Sequence, residues 1–230
     1  MNGRLKPAIS AGIRCMFLIV LEILGLVSFA VSGVVTAMRK KMDIFGAYVL
    51  ALITCFGGGV LRDLILGRTP PAVFRQPIYP ITATITAAVF LIAPLRRSIM
   101  RRKRIYEFLL FLMDSIGLGA FTVVGVTASI AAFPEYNFML HIFIGIITGV
   151  GGGVLRDTLA GDIPYTFVKH IYALASLIGA AVCTALWKVT GAAAAAGIGA
   201  AVVLLIRCFS AYYKWNLPAL EEEKKQEESS

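Results

Sequence analysis

Glycine and charged residues recur together at two places in an apolar chain. Residues 57–63 read Gly-Gly-Gly-Val-Leu-Arg-Asp, and the same seven residues return at 151–157, 94 positions later. Each glycine weakens a helix by about 0.8–1 kcal/mol relative to alanine, and a charged side chain inside a membrane costs at least about 2.5 kcal/mol. Because the chain carries both features twice, we take the two motifs as the first candidates for a functional site.

The glycine runs have two interpretations. Glycines allow helices to pack closely, or they permit a kink or an opened turn whose carbonyl groups face a water-filled path. We favour the kink or opened turn, because packing usually uses small residues four apart on one face and consecutive glycines point in three directions. Thr54 and Thr148 each precede a run by three residues, and their hydroxyls either face a permeating species or bond to their own helix. The predicted pore positions are Gly57, Gly58, Gly59, Gly151, Gly152, Gly153, Thr54 and Thr148.

Six charged residues fall inside or at the ends of apolar segments, namely Glu22, Arg62, Asp63, Asp114, Arg156 and Asp157. Adjacent residues on a helix do not face each other, so we expect each arginine to find a partner on another helix. Glu22 and Asp114 hold equivalent places before the two motifs. We therefore predict the contacts Glu22–Arg62 and Asp114–Arg156, which either face a pore or join helices to each other.

Other kinds of site find no support in the residue pattern. The two histidines lack metal-ligand spacing, and no motif predicts a metal or another cofactor. The glycine motif lacks the Gly-Lys-Ser/Thr of a phosphate-binding loop, and no catalytic triad is visible, so an enzyme is not expected. The net charge of +9 comes from short clusters between apolar runs, which is typical of membrane-flanking loops rather than of nucleic-acid binding.

The composition predicts an all-α integral membrane protein. Of 230 residues, 58% are hydrophobic and 15% charged, and the mean hydropathy is +0.82. A spanning helix needs about 20 mainly apolar residues. Seven segments qualify, at 15–38, 44–66, 77–95, 105–130, 137–160, 165–188 and 192–213.

The basic residues orient these spans. Lysine and arginine concentrate on the side that carries residues 39–41 and the run 96–104, which the positive-inside rule places in the cytoplasm. Residues 1–14 then form an extracytoplasmic segment, and residues 214–230 a polar cytoplasmic tail. We expect 96–104 to be a basic cytoplasmic loop that sets the topology or binds anionic lipid headgroups.

The duplication extends well beyond the glycines. Phe29 matches Phe121 and Gly33 matches Gly125 at an offset of 92, so residues 15–95 form a first three-helix repeat and 105–188 a second. Three crossings are an odd number, so the second repeat must enter the membrane from the opposite side. The prediction is two inverted three-helix repeats plus a seventh helix, an architecture of transporters and channels.

Two Gly-Gly-Gly runs, each followed by Arg-Asp, on the second and fifth of seven helices resemble the prokaryotic members of the trimeric intracellular cation (TRIC) channel family. The resemblance implies a homotrimer in the cell membrane, with a passive pore for monovalent cations, chiefly potassium, lined by helices two and five of each subunit. A glycine-transporter role has also been suggested for the bacterial sequences. A channel and a carrier of a small amino acid therefore both remain open. Where animal members carry a lysine-containing segment, this chain has Val60-Leu61-Arg62-Asp63.

Overall fold

The computed structural model describes residues 5–135, 138–168 and 171–213, and within those ranges every regular element is a helix. The predicted tail 214–230 and the first four residues lie outside them. Six of these helices are long and apolar enough to cross a membrane, and one bent pair of shorter helices brings the number of candidate spans to seven. In chain order the helices are α1 (Leu5–Arg39), α2 (Ile44–Ile65), α3 (Ala72–Arg75), α4 (Ile78–Leu91), α5 (Ala93–Arg101), α6 (Lys103–Ala132), α7 (Phe138–Leu159), α8 (Tyr165–Val168), α9 (Ile171–Thr190) and α10 (Ala192–Tyr213).

The third span differs from its prediction. We expected a helix over 77–95 followed by a loop over 96–104. Instead α4 ends at Leu91, and residues 93–101 form the separate helix α5, bent by 67° from α4. Pro94 in the first turn of α5 has no N–H to continue the hydrogen bonding of α4. The prediction of a loop is therefore wrong for residues 96–101. Arg96, Arg97 and Arg101 lie on an amphipathic helix, which is typical of a segment at a membrane surface.

The other predicted spans agree with the helices to within a few residues, apart from two ends. Helix α1 begins at Leu5 rather than at residue 15. The predicted sixth span, 165–188, is divided into the short helix α8 and the long helix α9.

The helices form two units of the same order. In each unit a long helix, a second helix, a four-residue helix and a third helix follow one another, as α1–α4 and again as α6–α9. Helix α10 stands outside the repeat and packs on α9 and α6. The end of α1 and the start of α6 lie at one face, because Arg39 and Lys103 line the same cavity. The second unit therefore starts where the first long helix ends, as an inverted repeat requires.

The two long helices meet at a pair of equivalent phenylalanines. Phe29 of α1 and Phe121 of α6 lie with ring centroids 5.2 Å apart and ring planes 59° apart. Each ring occupies the space opposite a glycine of the other helix: Phe29 packs on Gly117, and Phe121 packs on Gly25. The symmetry of the repeat maps the contact of Phe29 with Gly117 onto the contact of Phe121 with Gly25. The pseudo-two-fold axis therefore passes between the two rings.

Helices α2 and α7 cross where their glycine runs meet. A Cβ atom at Gly58 would overlap the carbonyl oxygen of Thr148, and a Cβ atom at Gly152 would overlap the carbonyl oxygen of Thr54. The backbones thus touch with no side chain between them. We call this reciprocal contact the glycine crossing.

Both crossing helices remain continuous through their glycine runs. The opened turn that we favoured is therefore wrong, and close packing, the alternative interpretation, describes the contact. The reason is that only glycine lets these two backbones approach so closely. A kink that keeps the helical hydrogen bonds stays a prediction.

The hydroxyl groups of Thr54 and Thr148 form hydrogen bonds within their own helices. Each donates to the carbonyl four residues earlier at 2.6 Å, on Leu50 and Ile144 respectively, and both threonines are fully buried. Their side chains pack against glycines of the long helices, since a Cβ atom at Gly125 would lie 2.5 Å from the hydroxyl oxygen of Thr148. The structure thus supports bonding to their own helix, and contact with a permeating species stays a prediction.

Gly58→Ala and Gly152→Ala are expected to destabilise the protein, by at least about 1–3 kcal/mol, because the added methyl group meets a backbone carbonyl that cannot rotate away. Gly59→Ala is the matched control. The nearest atom that a Cβ atom there would meet is in the Arg62 guanidinium, at 4.0 Å. The higher helix propensity of alanine is therefore expected to raise the free energy of unfolding by up to about 1 kcal/mol. Thermal unfolding in detergent measures all three. Equal midpoints for Gly58→Ala and Gly59→Ala would contradict the backbone contact.

Candidate functional site

Arg156 near the end of α7 joins three helices. Its Nη1 donates to Oδ1 of Asp114 on α6 at 2.6 Å and to the hydroxyl of Ser32 on α1. Its Nε donates to Oδ1 of the neighbouring Asp157 at 2.8 Å. The residue is 1% exposed. The predicted contact Asp114–Arg156 is confirmed, and α1 supplies a partner that the sequence did not suggest.

Each motif aspartate anchors the chain that follows its helix. Oδ2 of Asp157 accepts from the backbone N–H of Tyr165, the first residue of α8, at 3.0 Å. In the first repeat Oδ2 of Asp63 accepts from the N–H of Ala72, the first residue of α3, at 2.8 Å. A carboxylate at a helix N-terminus satisfies an N–H group that the helix itself leaves unpaired. The Asp of each Arg-Asp pair therefore fixes the turn after α2 or α7.

Within each motif the adjacent arginine and aspartate bind each other. Nε of Arg62 donates to Oδ1 of Asp63 at 2.8 Å, as Arg156 does to Asp157. The expectation that neighbours on a helix do not pair is wrong here. The arginine side chain is long enough to reach the adjacent carboxylate, and burial of both groups favours the pair.

Glu22 does not pair with Arg62. Oε2 of Glu22 accepts from the hydroxyl of Tyr79 on α4 at 2.8 Å, and among the described residues the ion pair of Arg62 is with Asp63. The predicted contact Glu22–Arg62 is therefore wrong, because the hydroxyl of Tyr79, and not Arg62, binds the carboxylate of Glu22. Glu22, Arg62, Asp63 and Tyr79 nevertheless line one cavity of about 30 Å³, and we call them the first cluster.

Arg207 of α10 is a site residue that the sequence analysis missed. Its Nε donates to the hydroxyl of Ser115 at 3.3 Å, and its Nη2 lies 4.0 Å from Oδ2 of Asp114. The guanidinium carbon lies 5.0 Å from the ring centroid of Phe111 and 4.7 Å from that of Tyr172. A single arginine inside the apolar segment 192–213 was the available signal. We call Asp114, Arg156, Asp157 and Arg207 the second cluster.

A cavity of about 890 Å³ leads to the second cluster. The ends of α1 and α10 and the start of α6 form its rim, and Asp114 and Arg156 are among its most buried lining residues. We call this cavity the vestibule. Lys40, which neighbours the rim residue Arg39, pairs with Asp162 at 2.5 Å, so the turn after α1 is joined to the turn after α7.

The two clusters lie at opposite ends of the crossing helices. Arg62 is near the end of α2 and Arg156 near the end of α7, and the two helices run in opposite directions as equivalent members of the inverted units. The glycine crossing lies between them. Polar groups thus approach the centre of the protein from both faces, and two touching backbones separate them.

Within the described ranges, no group of three or more His, Cys, Asp or Glu residues could hold a metal ion. His141 contacts Ser129, with Nδ1 and Oγ 2.9 Å apart. Cys55, Cys183 and Cys208 are free thiols.

A family model described as "Glycine transporter" matches the chain twice, at residues 19–94 and 111–188. The two matches begin 92 positions apart and end 94 positions apart, as in the internal repeat. Among curated relatives, a UPF0126 membrane protein of Vibrio cholerae is 39% identical over 162 residues, which are 70% of this chain and 65% of that protein. The UPF0126 inner membrane protein YadS of Escherichia coli is 34% identical over 206 residues, 88% of this chain and 96% of that protein.

Solved structures of TRIC channels share the fold. The TRIC orthologue from Rhodobacter sphaeroides has a TM-score of 0.78 and 33% identity, over 86% of this chain and 98% of that one. A second prokaryotic TRIC channel has a TM-score of 0.80 and 27% identity, over 88% of this chain and 99% of that one. These neighbours are channels rather than enzymes. The chain therefore belongs to the family of multi-pass membrane proteins that contains the prokaryotic TRIC channels and the UPF0126 proteins, as its duplicated glycine motif predicted.

Proposed function

We propose that this protein is a passive channel for monovalent cations, chiefly potassium, in a bacterial inner membrane. The observation that carries the proposal is the pair of charged clusters at opposite ends of the crossing helices α2 and α7. Glu22 and Asp114 supply carboxylates that attract cations, one on each side of the glycine crossing. The solved relatives are themselves named TRIC cation channels.

The proposed path runs from the vestibule past Asp114, through the glycine crossing, to Glu22. In the described conformation the two backbones touch at the crossing, so the path is closed there. Because no side chains fill this contact, a small separation or bend of α2 and α7 would leave the carbonyls of Thr54 and Thr148 beside water. Carbonyl oxygens replace part of the hydration shell of a cation. The glycine runs then act as the part of the pore that opens.

The contacts of Arg156 hold the proposed closed state. The residue binds α1 through Ser32, α6 through Asp114 and the turn after α7 through Asp157. Movement of α7 away from α2 would strain these bonds. Opening therefore requires that at least one of them breaks or rearranges.

We further propose a homotrimer in which each subunit has its own pore, with the N-terminus outside and the C-terminus in the cytoplasm. The solved relative from Rhodobacter sphaeroides is itself named a trimeric channel, which supports the assembly. The bend of 67° supports a position of α5 along the cytoplasmic leaflet, where Arg96, Arg97 and Arg101 would meet anionic lipid headgroups.

A carrier for a small amino acid such as glycine is the second candidate. The description of the matching family model favours it, and the second cluster offers a carboxylate for an ammonium group beside arginines for a carboxylate group. In that case the glycine crossing would be the closed barrier of an alternating-access cycle.

Single-channel recording of the purified protein in planar bilayers separates the two candidates. We expect discrete current steps in symmetric potassium chloride, because a hydrated path passes ions without a conformational cycle for each one. A reversal potential near that of potassium in a salt gradient would establish cation selectivity.

Saturable glycine uptake into vesicles, with no current steps, would contradict the channel and support the carrier. Protein-free vesicles of the same lipid composition give the background.

Ser32→Ala is expected to raise the open probability by up to about tenfold, because it removes one hydrogen bond to a buried charge from the closed state. Ser28→Ala is the matched control, since Ser28 is equally buried one turn earlier on α1 and no hydrogen bond to Arg156 is found for it among the described residues. The measurement is the open probability at fixed voltage. The same increase in both variants would show that Arg156 does not hold the closed state.

A further inference from the structure

The two charged clusters occupy equivalent places in the repeat but differ in composition. The first contains two carboxylates, on Glu22 and Asp63, and one guanidinium, on Arg62. The second contains two carboxylates, on Asp114 and Asp157, and two guanidinium groups. The formal charge is therefore negative in the first cluster and zero in the second. The difference is Arg207.

Arg207 comes from the one long helix that the repeat does not duplicate. Helix α10 packs on α6 and α9, and no helix of the described chain holds the corresponding place on the first unit. The inverted repeat alone would make the two ends of the path electrically alike. Helix α10 makes them unequal.

The position of Arg207 is tightly defined. Its guanidinium lies between the rings of Phe111 and Tyr172, at 5.0 and 4.7 Å from their centroids, and the residue is 6% exposed. Aromatic faces attract a cation, and Nε has the Ser115 hydroxyl as an acceptor. An arginine keeps its charge under all physiological conditions. The second cluster thus holds a permanent cation.

Arg207 lies beside the carboxylate that a permeating cation would use. Oδ1 of Asp114 is bound to Arg156 at 2.6 Å, and Oδ2 faces Nη2 of Arg207 at 4.0 Å. Both oxygens therefore face a positive group. In the first cluster the hydrogen-bond partner of Glu22 is the neutral hydroxyl of Tyr79, and the ion pair of Arg62 is with Asp63.

We propose that Arg207 is a tethered cation that competes with permeating cations at Asp114 and makes conduction depend on the direction of flow. This inference rests on the proposed channel function. Cations gather at the negative first cluster more than at the neutral second cluster, where Arg207 competes with them for Asp114, so currents at equal and opposite voltages differ. Arg207 is thereby a determinant of rectification and conductance, and its aromatic clamp holds the charge in place.

The rim of the vestibule contributes less to this asymmetry. The side chains of Lys103 and Glu107 are 88% and 60% exposed, and that of Arg39 is 39% exposed. Salt screens exposed charges, and at 1 M ionic strength the Debye length is about 3 Å. Currents recorded in 1 M potassium chloride therefore depend mainly on the two clusters, whose charged groups are less exposed than those of the rim.

The test compares single-channel currents of three proteins at equal and opposite voltages. The wild-type protein is expected to rectify. Arg207→Gln removes the charge and keeps a hydrogen-bond donor, so both clusters become negative; we expect the current ratio to approach one and the conductance to rise about twofold or more. Glu22→Gln makes both clusters neutral, so the ratio again approaches one while the conductance falls by a similar factor.

Two controls separate charge from structure. Arg207→Lys keeps the charge and is expected to retain the wild-type direction of rectification. Arg101→Gln removes an exposed positive charge from the same face and is expected to leave the current ratio unchanged, because Arg101 lies outside the vestibule lining.

A wild-type current that is symmetric in voltage would overturn the inference, as would an Arg207→Gln channel with unchanged conductance and ratio. If Arg207→Gln does not assemble, Glu22→Gln tests the inference on its own. Rectification that persists in Glu22→Gln would show that the charge difference between the two clusters does not cause it. An absence of unitary currents from the wild-type protein would instead refute the proposed channel function.

Discussion

The contact between the backbones of α2 and α7 determines the geometry of the rest of this protein. At Gly58 and Gly152 each helix places its backbone against a carbonyl oxygen of the other, where even a methyl group would overlap. The approach brings the ends of α2 and α7 to fixed positions at opposite faces. It also leaves no side chain between the two backbones at Gly58 and Gly152, so a small relative movement of the two helices changes what lies between the two cavities.

The charged motifs act at the ends of the same two helices. Asp63 and Asp157 each bind their neighbouring arginine and the first N–H of the short helix that follows. A buried charge is tolerated when such partners satisfy it. Arg156 also reaches Ser32 and Asp114, so the positions of α1, α6 and α7 depend on one another.

The inverted repeat supplies symmetry, and two elements outside it remove that symmetry. Helix α5 connects the units and carries Arg96, Arg97 and Arg101. Helix α10 places Arg207 in the second cluster and packs against α6. The two ends of the protein consequently differ in cavity size and in charge, although the equivalent residues of the motifs are identical.

The sequence by itself determined that this is a membrane protein, that it contains a repeat and that the repeat is inverted. Hydropathy, the spacing of the matching residues and the odd number of crossings in each repeat are properties of the chain alone. It also predicted Asp114–Arg156. Tertiary structure decided the remaining contacts: Tyr79 binds Glu22, and Arg207 enters the second cluster. Both partners lie far along the chain from the residues they meet, so local spacing carries no signal for them. The glycine runs were visible in the sequence, but only the approach of a second backbone decided between an opened turn and close packing.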